Sequence, residues 1–65
     1  MNPMQQWIEQ HGPLSDQQNS VRKQIRNFCC GLTHDELLIE EKIRKAEDPF
    51  RSACIREWIF EEYPQ

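Results

Sequence analysis

Cys29, Cys30 and His34, with Cys54 further along, are the residues with the least ordinary chemistry in this chain, because thiolates and imidazole are zinc's usual ligands. Their spacing argues against that use. A structural zinc site normally shows a cysteine pair separated by roughly two to four residues. Here only Cys30 and His34 have a suitable gap, and a Gly31–Thr33 corner interrupts it. Cys54 shares a helical seam with Phe50 and Trp58, where cysteine behaves as a small buried hydrophobe. Nucleophilic thiol chemistry is disfavoured as well, since Cys30 falls at a helix C-terminus, the negative end of the helix dipole. We therefore expect neither a metal nor another cofactor. Three cysteines, two of them adjacent, do not make a disulfide framework and fit reduced thiols in the cytoplasm.

Acid–base chemistry fares no better. His11 precedes Gly12, where a cationic ring suits the end of a helix, and His34 sits in a first helical turn. Glu36, Glu40, Glu41 and Glu47 fall mostly on the side of their helix away from Ile39 and Ile43, the pattern of a solvated surface. A chain of 65 residues also offers little volume for a pocket in which titratable groups converge. An enzyme is not expected.

Arg22, Lys23 and Arg26 form a basic group lying away from the Val21–Ile25–Phe28 stripe of the same helix. With the turn and helix that follow, they outline a helix-turn-helix. The reading helix, however, would begin Thr33-His34-Asp35-Glu36, and two carboxylates at that end are repelled by phosphates. The net charge of −3 also argues against nucleic acid as the main partner. The acidic residues concentrate in the second half of the chain, so a protein partner is expected to present a basic surface.

The elements that must position these groups read as four short helices, about 3–11, 16–30, 34–47 and 49–62. Asn2-Pro3 starts the first and Gly12-Pro13 stops it, leaving Met4, Trp7 and Ile8 on one face. Ser15 with Gln18, and Thr33 with Glu36, are capping-box patterns. Gly31 is expected to close the second helix in a left-handed conformation, with Leu32 and Leu37 as a hydrophobic staple. Ile39, Ile43 and Ala46 are expected to form the buried seam of the third helix, aligned by this hairpin with Val21, Ile25 and Phe28. Asp48-Pro49 admits two outcomes: a fresh N-terminus or one long kinked helix, the former preferred. The last helix carries apolar residues nearly all round, so it is either central or engaged in an intermolecular contact. No apolar run approaches the roughly 20 residues of a membrane span, and no signal-peptide pattern opens the chain.

Aromatic residues decide the functional expectation. Trp7, Phe28, Phe50, Trp58, Phe60 and Tyr63 are many for a core this small, and tryptophan and tyrosine are enriched in binding hot spots. The chain is read as a single all-α domain, 1–65, a small bundle of three to four short helices whose apolar excess is buried by homodimerisation, by a larger protein partner, or by both. Its expected function is protein binding, as an adaptor, inhibitor or regulator acting on a larger protein. Trp58, Ile55, Ile59 and Phe60 are the expected contact residues, with Trp7 as a second anchor on a movable N-terminal helix. The alternative is a nucleic-acid-associated transcriptional regulator that uses Arg22, Lys23 and Arg26 as a dimeric basic helix face.

Overall fold

The computed structural model describes residues 2–64. Four helices follow one another: α1 (Pro3–His11), α2 (Asp16–Cys29), α3 (His34–Glu47) and α4 (Pro49–Glu62). Each begins at a side chain that accepts an otherwise unpartnered backbone N–H, which is why the starts were legible. Asn2 accepts from the Met4 amide at 2.8 Å, and Ser15–Gln18 and Thr33–Glu36 both close complete capping boxes. The Thr33 amide donates to the Glu36 carboxylate and holds it below the usual carboxylate range. Asp48 resolves the ambiguity at Pro49 in favour of a break: its backbone leaves the helical region, and its side chain accepts from the Arg51 amide at 3.1 Å.

The corner between α2 and α3 departs from expectation. Gly31 does not adopt a positive φ; Gly12 does, at 87°. The chain leaves α2 through right-handed turns instead, with the Gly31 amide donating to the Phe28 carbonyl and the Leu32 amide to that of Cys29. Cys30 is accordingly the C-cap, one residue outside the helix.

All three extensive helix–helix contacts involve α4. A helix covered by three others must be apolar on several sides, which accounts for its composition. It contributes Ala53, Cys54 and Ile55 to a core completed by Met4, Ile25, Cys29 and Leu37. The expected pairing of α2 with α3 through their aliphatic stripes is therefore overturned, since each packs on α4. The consequence for α3 is an inversion. Leu37 is buried and Glu41 reaches across to the buried Ser52 of α4, while Ile39 and Ile43 are 59% and 51% exposed, and Ala46 is exposed too. Phe28, expected in the α2 seam, is also 43% exposed.

The accessible surface of 4580 Å² is close to the roughly 4400 Å² expected for a monomer of this mass. The chain is thus as condensed as its size permits. What is unusual is which side chains the remaining surface presents.

Candidate interaction surfaces

The basic group is largely committed to the fold. Arg22 lies about 60° round α2 from Ile25, at the edge of the buried face and not opposite it. Its guanidinium binds Glu57 of α4 through both Nε, at 2.9 Å, and Nη2. Arg26 reaches the same carboxylate at 3.4 Å and Glu61 at 2.7 Å. Glu57 is only 1% exposed, so these contacts compensate a carboxylate withdrawn from water. Hydrogen bonding to Glu57 raises the Arg22 pKa, and hydrogen bonding to Glu61 raises that of Arg26. Of the expected basic face, only Lys23 carries no ion pair among the described residues.

The cysteines are placed by packing. Cys29 and Cys54 are buried and Cys30 is exposed, all three free. Burial pushes the Cys54 thiol up to about 12 and raises that of Cys29, which keeps both protonated and poorly nucleophilic. Among the described residues no three His, Cys, Asp or Glu side chains come together as a metal site. The histidines stack on aromatic rings, His11 on Trp7 at 3.8 Å between centroids and His34 on Tyr63 at 4.3 Å.

The five expected contact residues separate. Ile55 is fully buried at the centre of the core and has no surface to offer, which removes it from any interface. Its position on the most covered side of α4 could not be told from sequence, because that helix is apolar on every side. Trp58 is half-buried beneath the Arg26 guanidinium, 5.3 Å from its ring. Trp7 is half-buried against the edge of Phe50 at 5.4 Å, on a helix docked to α4 through Met4. Ile59 and Phe60 do reach the surface, and Phe60 is 47% exposed.

Those two residues belong to a groove of about 550 Å³ between the start of α1, α3 and the C-terminal half of α4. Leu38, Tyr63, Pro3 and Pro64 complete its apolar lining, and Glu41 and Arg56 are its charged members. A second apolar surface lies on another side of α3. There Phe28, Leu32 and Ile39 enclose a shallow hollow of about 220 Å³ bordered by Glu36 and Glu40, with Ile43 one turn further along. Leu38, Ile39 and Ile43 were missed as surface residues. A signal existed, since the run Leu37-Leu38-Ile39 spreads over about 200° of helix and one partner helix cannot cover it all.

No described helix is long and apolar enough to cross a membrane. Compared with protein-family models, with curated proteins and with solved structures, the chain matches none.

Proposed function

We propose that this chain is a non-enzymatic interaction module that self-associates and binds a larger protein through the outward face of α3, with Phe28 at its edge. One observation carries the reading: α3 turns Glu41 toward α4 and leaves Ile39 and Ile43 in water. Covering each of these half-exposed side chains contributes about 1 kcal/mol, a gain available only from another molecule. Glu36 and Glu47, expected on the far side of the helix, lie within about 60° of Ile39 or Ile43 and so flank the seam, which suits a partner with basic residues around an apolar centre. The free thiols fit a cytoplasmic setting.

The test is affinity capture from source lysate with the wild type beside an Ile39→Asp/Ile43→Asp variant, whose substitutions lie outside the core. A co-purifying protein lost with the variant, at unchanged helicity, supports the proposal. Recovery of the same proteins with both chains overturns it. Association with duplex DNA whose log affinity falls steeply with log salt would favour the nucleic-acid alternative.

A further inference from the structure

We infer that the outward face of α3 receives an amphipathic helix of the partner protein, whose apolar stripe lies along Ile39, Ile43 and Ala46 and is bordered by arginine or lysine. This names the chemistry of the partner proposed above, and it rests on that reading of the α3 face.

The shape of the occupant follows from what α3 offers. Ile39, Ile43 and Ala46 recur at i, i+4 and i+7, fall within about 60° of one another round the helix, and form a seam about 10 Å long. All three are exposed. The backbone of α3 is engaged in its own helical hydrogen bonds, and the seam has no hydrogen-bonding side chain, so it has nothing to give the amides and carbonyls of an extended segment. A helix satisfies those groups internally and needs only side-chain contact. At the N-terminal end of the seam, Phe28, Leu32 and Ile39 wall the hollow of about 220 Å³, with Glu36 and Glu40 at its border. Apolar walls under carboxylates suit the aliphatic stem and charged head of an arginine or lysine.

The charge of the occupant follows from the borders of the seam. Asp35, Glu36, Glu40 and Glu47 each lie within about 60° of a seam residue, and Lys42 is the one base of α3 placed as closely. Asp35 and Glu36 make no ion pair among the described residues, and Glu40 and Glu47 share Arg44 at 3.3 Å each. Acids outnumber bases here even when Arg44 is counted together with Arg51, whose guanidinium lies 5.5 Å from the Phe28 ring. A second copy docked through the same face brings the same acidic surplus and cannot neutralise it. A helix bordered by arginine or lysine neutralises it while its apolar stripe covers Ile39 and Ile43.

The probes are two synthetic peptides of about 18 residues, long enough for a helix, with the same leucine stripe at helical spacing. One is bordered by lysine and the other by glutamate. Titrated into the full chain, the lysine peptide is expected to bind with a gain in helicity, and about tenfold or more tighter than the glutamate peptide. Ile39→Asp/Ile43→Asp abolishes its binding although it makes the face more acidic, which separates contact with the seam from general charge attraction. Asp35→Lys/Glu47→Lys reverses the order of the two peptides; if that variant does not fold, the wild-type comparison and the isoleucine variant decide. Absence of binding by the lysine peptide overturns the inference, as does equal affinity for the two peptides, binding without a gain in helicity, or binding retained by Ile39→Asp/Ile43→Asp. A wild-type dimer in sedimentation equilibrium that the same variant dissolves also overturns it, making a second copy the occupant of this face. Lysate capture that depends on Ile39 and Ile43 while the lysine peptide fails leaves α3 as the partner surface and removes only the basic helix. Failure of both removes the face itself.

Discussion

Glu57 shows how much one side chain can demand of its surroundings. A nearly inaccessible carboxylate is tolerable only with charged donors in contact, and Arg22 and Arg26 supply them from α2. Arg22→Ala removes the two-pronged contact and leaves Arg26 to hold the charge alone. The expected cost is about 3 kcal/mol or more, read as a lower midpoint in urea unfolding at neutral pH. Lys23→Ala, one residue along, should change that midpoint by no more than about 0.5 kcal/mol. The cysteines give a second expectation. Cys30 should react with a thiol reagent in the folded chain, and Cys29 and Cys54 only after unfolding. Burial lifts the Cys54 pKa from the ordinary 9.0 to about 12, so the folded state keeps a proton that the unfolded state gives up. Stability should therefore decline as pH rises from about 9 toward 12, and more steeply in the wild type than in Cys54→Ala. The basic residues were visible in the sequence, but their pairing was not, because Glu57 lies 35 positions from Arg22.

At the scale of elements, the helix starts and the break at Asp48 follow from local chemistry and were legible, since caps act within three or four residues. The two glycines show where local reading falls short. Gly12 holds φ 87° and ψ −179°, a conformation essentially reserved for glycine, so Gly12→Ala should cost about 1–3 kcal/mol. Gly31 has no positive φ, and a Cβ there would meet nothing closer than the Phe28 carbonyl oxygen at 4.0 Å. Gly31→Ala should therefore stabilise the chain, by about 0.4–1 kcal/mol, by narrowing the unfolded ensemble. Thermal unfolding of the two variants tests the contrast, and a corner closed by a left-handed Gly31 would reverse its sign. The glycine after α2 looked like a C-cap because many helices end that way; the succession of right-handed turns through Leu32 made that conformation unnecessary.

For the whole molecule, the architecture is a central α4 with three helices laid on it, and α3 divides its side chains between two tasks. Leu37→Ala should cost about 2–5 kcal/mol of folding stability. Ile39→Gln and Ile43→Gln should alter the isolated chain by less than about 0.5 kcal/mol, while weakening partner capture. Denaturant titrations of the three variants check the division; a large loss of stability at Ile39 would place that residue in the core. The sequence by itself determined an all-α chain and its helix starts, and preferred a break at Asp48 over a long kinked helix, because capping and hydrophobic periodicity act over a few residues. It also determined that α4 had to be covered on several sides. Only the tertiary structure decided which helices cover it, and so which face of α3 stays dry. With α4 as common neighbour, α2 and α3 no longer need each other's aliphatic stripes. Their outward side chains, Ile39, Ile43 and Phe28, are left in water, and the groove beside Phe60 keeps an unpaired Arg56 and Glu41. Local periodicity tells which residues share a face. Which face meets the core depends on how three helices compete for the surface of one.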